Sequence, residues 1–299
     1  MWELSATLND NQLVRLECIF QDDPTMRSLT MLSVVAITFF GVSGSVAKPF
    51  AKSGESEHLA QSSGAGKDRA KDEWTFSGSH GTQKWDGKYL AYTKKETRYL
   101  VKDWKKRFVL PVPPANSSDR TRGELEYLKG LITQRAKYQK AIQGEVLTKR
   151  FKWGKYTYEE LTKGENFQHT SKLILATYQE LGVVVFVFKQ RFNRVRPSVI
   201  AEKYGVKLGT VVKIPGHPAY PSGHATGAFT LAYILQELDP ANAETYRKDA
   251  LRIARNREIG GLHYPSDTEA GRLLARQIAD SLLESKKFQV LLKAARAEW

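Results

Sequence analysis

The sequence predicts an all-α protein organised as a single helical-bundle domain, and three observations predict it. Apolar residues recur at helical spacing from about residue 115 onward, cap signatures open two of the runs, and the longest apolar segment far exceeds a strand. Neither an internal repeat nor a glycine-rich nucleotide loop is present.

The first 47 residues stand apart from that pattern. Leu29 to Phe40 is an apolar run interrupted by Thr and Ser, preceded by Met26-Arg27 and followed by "GVSGSVAKP". A basic start, a short apolar stretch and small residues at 45 and 47 have the form of a secretory signal peptide over about 26–47. The acidic stretch ahead of it is unlike such a start, so initiation is expected at Met26, with residues 1–25 an extension. Residues 48–74, rich in Ser, Gly, Ala and Lys, read as a flexible linker. The helical domain is expected to occupy 75–299. Its opening part, to the extended "VLPVPP" at 109–114, is aromatic without a clear period.

Helices follow in order. Residues 116–146 carry cap residues at Ser117 and Ser118 and a Thr121/Glu124 capping box. Leu125, Leu128, Ile132, Ala136 and Ile142 then keep to one face. The segment from about Asn166 to Phe192 contains "VVVFVF", β-branched and strand-like locally, yet its length calls for a helix. Pro197 disfavours helical geometry at Arg196, so this helix should end before it. Residues 222–238 and 241–256 follow, then a run opened by a Ser266/Glu269 capping box, then the amphipathic 286–299.

Composition narrows the function classes. The chain is 41% hydrophobic with a formal charge of +14, and its mean hydropathy is −0.45. No apolar run reaches the roughly 20 residues of a membrane span, which argues against a transmembrane bundle. The one cysteine, Cys18, precedes the expected signal, so thiolate catalysis and cysteine-bound zinc are not expected beyond it. Residues 1–47 hold two basic and five acidic residues, leaving a formal charge of +17 on the remainder. Such a surface attracts anions: phosphorylated metabolites, nucleic acid or an anionic membrane face. No nucleic-acid-binding motif is recognisable, so nucleic acid is not expected as a specific partner.

Three short stretches carry chemistry. "KQRFNRVRP" sets Lys189 seven residues before Arg196-Pro197; "AYPSGHATGAF" puts Pro221, Ser222, Gly223 and His224 at the mouth of a helix; "RNREIGGLHYPSD" spaces Arg257, His263 and Asp267 ahead of another. Glycine permits close backbone approach, and free N–H groups at a helix start bind oxyanions. His58, His80, His169 and His217 have no comparable company.

In combination these stretches resemble the signature of the type 2 phosphatidic acid phosphatase superfamily, which includes bacterial non-specific acid phosphatases, lipid phosphate phosphatases and vanadium haloperoxidases. The match covers Lys189, Arg196, Pro197, Pro221 to His224, Arg257, His263 and Asp267; Asn256 stands where the family usually has Ser. The resemblance implies a helical bundle of the acid phosphatase/haloperoxidase type. It also implies phosphate held by Lys189, Arg196, Ser222, Gly223 and Arg257, with His263 as nucleophile. Asp267 would orient His263, and His224 would be the acid that protonates the leaving group. A small phosphorylated substrate, an acid pH optimum, no metal and no cofactor are expected, with vanadate as an inhibitor. Only 32 residues separate His224 from Arg257, and this short gap looks most like the secreted acid phosphatases. A haloperoxidase, using vanadate as cofactor, and a catalytically silent basic anion-binding protein are the alternatives.

The 26–47 pattern predicts a mature protein that starts at Lys48 in the periplasm or outside the cell. N-terminal sequencing of protein recovered from the cell envelope checks this, and a start at Met1 counts against it.

Overall fold

The computed structural model describes residues 5–9, 13–17, 85–146 and 152–299. The expected signal peptide and linker lie outside the described residues. Ser5–Asn9 and Leu13–Glu17 pair as an antiparallel hairpin, β1 and β2, with Ser5 opposite Glu17. From residue 85 onward the architecture is helical, as expected.

The most apolar segment forms the longest helix. It is α6, Gln168–Phe192, after the short α1 (Gly87–Thr93), α2 (Trp104–Arg107), α3 (Asp119–Gly130), α4 (Arg135–Val146) and α5 (Tyr158–Lys163). The strand-like valines are helical here. Each β-branched residue costs up to about 0.7 kcal/mol in helix propensity, whereas burying such a side chain returns roughly 1.5–3 kcal/mol. Val183, Val184, Val185 and Phe188 are all buried, so burial wins. The stretch Glu165–Lys203 has the length and hydropathy of a membrane span, beyond the sequence expectation, but 61% of its apolar window is buried inside the fold. It packs against α1, α5, α8 (Gly223–Leu238) and α11 (Lys286–Arg296) as a core helix.

Helix α6 ends where the chain turns toward the site. Asn193 takes the left-handed conformation at φ 46° and its N–H closes on Lys189 O at 2.9 Å. Arg196 is extended, as a residue before proline should be, and Pro197 opens α7 (Pro197–Lys203). Helices α9 (Ala243–Ile259) and α10 (Pro265–Glu284) flank α8. A second, smaller apolar cluster joins Leu125, Leu128, Ile142, Ile200 and Tyr264, tying α3, α4 and α7 to the α9–α10 turn.

Several local expectations are corrected. Residues 116–146 are two helices, because a 3-10 segment at Leu131–Gln134 separates them. The tighter winding shifts the phase, which leaves Ala136 exposed while Leu125, Leu128 and Ile142 are buried. Ser118 alone caps α3, accepting from Thr121 N at 3.2 Å. The Thr121/Glu124 box does not form: Thr121 donates to Ala115 O, and Glu124 reaches Arg194 and Ser266 instead. The Ser266/Glu269 box is also absent. Helix α10 starts two residues earlier than that box would place it, at Pro265, and Asp267 accepts from Tyr264 N, while Glu269 pairs with Arg272. A box that does form, Thr157/Glu160, opens α5 after a small hairpin, β3 (Lys152–Trp153) with β4 (Tyr156–Thr157).

One glycine sets how closely α10 meets the start of α8. A Cβ at Gly271 would lie 2.8 Å from Ser222 O and 2.9 Å from Ala225 Cβ. Gly271→Ala should therefore push the two helices apart, at a cost of about 1–3 kcal/mol by overpacking. A calorimetric melting curve should show a lowered Tm; an unchanged Tm would mean the contact yields freely.

Candidate active site

Three chain turns meet at the end of α6. The first carries Lys189 and Arg196, the second leads into α8 through Ser222, Gly223 and His224, and the third joins α9 to α10 through Arg257, His263 and Asp267. All eight predicted positions come together in this region, linked by hydrogen bonds, side-chain contact or electrostatic influence.

His263 is the hinge of the arrangement. It is 3% exposed. Arg196 Nη1 lies 3.1 Å from its Nε2, and Asp267 Oδ2 lies 3.2 Å from its Nδ1. A guanidinium can only donate, so Nε2 must be the bare acceptor and Nδ1 carries the proton toward Asp267. Burial, then Arg196 and Lys189, push the imidazole well below its ordinary range, so the ring is neutral. This is the tautomer with a lone pair at Nε2.

The cations differ in how they are held. Lys189, expected at the phosphate, gives its three donors to Pro218 O, Ala219 O and Pro221 O at 2.7, 2.9 and 2.7 Å. It thereby shapes the loop that presents Ser222 and Gly223. Burial and Arg196 push its ammonium pKa well down. Arg196 donates to His217 O and Leu262 O, and burial lowers its pKa to about 10. Arg257 is gripped on one side only: Nη2 donates to Ile142 O and to Glu145 Oε2, at 3.0 and 2.7 Å. No acceptor among the described residues faces its buried Nε and Nη1.

Ser222 caps α8, and its N–H donates to Asp267 O at 2.9 Å, which ties the second turn to the third. Gly223 lies against Lys189: a Cβ there would sit 4.0 Å from Lys189 Cε. His224, half-buried in the first turn of α8, has its pKa pushed well down by burial, Arg257 and His263. Among the described residues no three His, Cys, Asp or Glu side chains converge as a metal site.

Four further residues escaped the sequence reading. His217, given no role there, accepts from Arg196 Nη2 at 3.1 Å and packs edge-on to Tyr89 and Phe186. Glu145 holds Arg257, Asn256 and Arg252 at once. Asn256, where the family usually has Ser, thus serves the same carboxylate. Arg194 and Glu124 form a buried ion pair behind Asp267. His217 and Arg194 lay within or beside the quoted motifs; Glu124 and Glu145 lie in α3 and α4, too remote in sequence to be found by spacing.

Residues 172–280 match the PAP2 superfamily and include every predicted site position; this part of the chain is a PAP2 superfamily domain. The chain is similar to a non-specific acid phosphatase of Providencia stuartii, 30% identical over 114 residues, covering 37% of this chain and 45% of that protein. It is also similar to a non-specific acid phosphatase of Salmonella typhimurium, 28% identical over 110 residues, covering 37% of this chain and 44% of that protein. The acid phosphatase of Zymomonas mobilis is 29% identical over 110 residues, covering 37% and 42% of the two chains. The match thus spans less than half the length of these curated relatives.

Among solved structures, a bacterial vanadium-dependent iodoperoxidase matches with a TM-score of 0.52 at 16% identity, covering 71% of this chain and 62% of that one. An apo-type bacterial vanadium-dependent chloroperoxidase gives 0.55 at 13% identity, covering 71% and 57%. These likenesses establish a shared helical fold.

The depressed histidines make folding sensitive to acid. Unfolded imidazoles take up protons near pH ~6.5, whereas His217, His224 and His263 resist protonation in the folded state. The unfolded chain then binds more protons, so their contribution to stability falls as pH drops through that range. Glu145, Glu180 and Glu258, raised by burial, act with the opposite sign nearer the ordinary carboxylate range. Ligand-free protein should lose Tm between about pH 7.5 and 5.5, and inorganic phosphate, whose charge offsets the cations, should reduce that loss. Thermal melts across pH with and without phosphate check both.

Proposed function

We propose that this protein is a phosphatase of the phosphomonoesterase type, acting through a phosphohistidine at His263 without a metal. The observation that supports it best is the neutral His263 with its Nε2 lone pair, oriented by Asp267 and surrounded by buried cations. Phosphoryl transfer needs charge spread over three oxygens to be stabilised, with nucleophile and leaving group in line. Here Arg257 Nε and Nη1, Arg196 and the amides at the start of α8 are the donors suited to those oxygens. Lys189 adds its charge from behind the loop.

In this reading, Nε2 of His263 forms a bond to phosphorus as the ester P–O bond breaks. The leaving oxygen takes a proton from His224. Burial and then Arg257 push the His224 pKa down, and a dianionic substrate offsets the second of these, so substrate binding itself favours the protonated acid. His224, now neutral, takes a proton from water as the water oxygen attacks the phosphohistidine, releasing phosphate. Similarity to the curated acid phosphatases points the same way. An exported, acid-active enzyme for small phosphorylated substrates fits the basic charge and the 26–47 pattern.

The two histidines should fail differently. His263→Ala forms no phosphoenzyme. His224→Ala still accepts phosphate from a nitrophenyl ester, whose leaving group needs no proton, but then stalls for want of a base. Acid-labile, alkali-stable labelled phosphate should accumulate on His224→Ala and never on His263→Ala. Label on both, or on neither while wild type turns over, overturns the assigned roles.

A further inference from the structure

We propose that Arg194 is a positioning residue for His263, acting through Asp267 and anchored by Glu124; this rests on the reading of His263 as nucleophile. Arg194 is fully buried, and both of its Nη atoms are committed to protein acceptors. Its Nη1 donates to Asp267 Oδ1 and Ser266 Oγ, both at 2.7 Å, and its Nη2 to Glu124 Oε2 at 3.0 Å. The guanidinium lies over the Tyr264 ring, 3.8 Å from its centroid.

The geometry divides the Asp267 carboxylate between two duties. Oδ1 belongs to Arg194; Oδ2 faces His263 Nδ1 at 3.2 Å and accepts from Tyr264 N at 3.0 Å. A carboxylate can rotate about its Cβ–Cγ bond, and the contacts from His263 and Tyr264 N hold Oδ2 alone, leaving Oδ1 to be anchored by Arg194. The short, charge-assisted bond from Arg194 fixes the carboxylate plane and so fixes which oxygen meets the ring. Glu124 completes the brace: Oε2 holds Arg194 and Oε1 accepts from Ser266 N at 2.7 Å. The line runs Glu124, Arg194, Asp267, His263, from α3 to the nucleophile, and it leaves the phosphate-facing cations untouched.

A double-mutant cycle tests this. Arg194→Met should lower kcat on the order of 100-fold, the scale of a misplaced reacting group. Vanadate inhibition should change by no more than about threefold, because the donors suited to phosphate remain. Arg194→Lys should recover part of the loss. In an Asp267→Asn background, Arg194→Met should cost little more, because its target carboxylate is already gone. Losses that simply multiply, or a loss carried by vanadate affinity instead of kcat, overturn the proposal. If Arg194→Met does not fold, the isosteric Glu124→Gln is carried through the same cycle with the same two outcomes. In histidine-labelled protein, the Nδ1–H resonance of His263 reads the hydrogen bond without turnover. It should be lost in the Arg194 or Glu124 variant as in Asp267→Asn; its retention there refutes the role of Arg194. Wild-type protein that hydrolyses no phosphomonoester would sink the phosphatase reading alone, and the resonance would still decide the positioning role.

Discussion

Burying positive charge is the constraint on which the rest of this structure depends. Lys189, Arg194, Arg196 and Arg257 each expose 1% or less of their surface around one histidine. Removing an ion from water carries an effective penalty of several kcal/mol, so each of these side chains must find substitutes for solvent inside the fold. Lys189 finds three carbonyls, Arg196 two carbonyls and two imidazoles, Arg194 two carboxylates, and Arg257 one carboxylate and one carbonyl.

That requirement explains why irregular backbone collects where it does. Carbonyls inside helices are already engaged, whereas the chain at 217–221 and at 262 has carbonyls to give. Loops here are held by the cations as much as the cations are held by the loops. The same requirement recruits helices outside the motifs. α3 contributes Glu124 and α4 contributes Glu145, so both act as supports for the site even though neither carries a predicted catalytic group.

The balance is incomplete at Arg257. Glu145 and Ile142 O take only Nη2 of Arg257, so its Nε and Nη1 remain without acceptors among the described residues. Donors fixed before a ligand arrives need no reorganisation when charge develops, which is the condition for strong electrostatic stabilisation. Burial first, and then the neighbouring cations, push the pKa of His217, His224 and His263 well down. One arrangement thus favours an anion and leaves a lone pair at Nε2 of His263.

The sequence by itself determined the fold class and the order of the long helices, because helical periodicity and proline restrictions act within a few residues. The eight positions from Lys189 to Asp267 were named by the resemblance that three short stretches carry, since spacing within each stretch is legible without coordinates. Tertiary structure decided the rest. The phase of 116–146 changed at a 3-10 turn, and the Thr121/Glu124 box lost its glutamate to a residue 70 positions away. That Lys189 holds a loop, that His217 accepts from Arg196, and that Glu145 and Arg194 brace Arg257 and Asp267 could not be read from spacing. Hydrogen bonds to buried charges are chosen by proximity in three dimensions, and only the packing of α3, α4 and α10 brings those partners within reach.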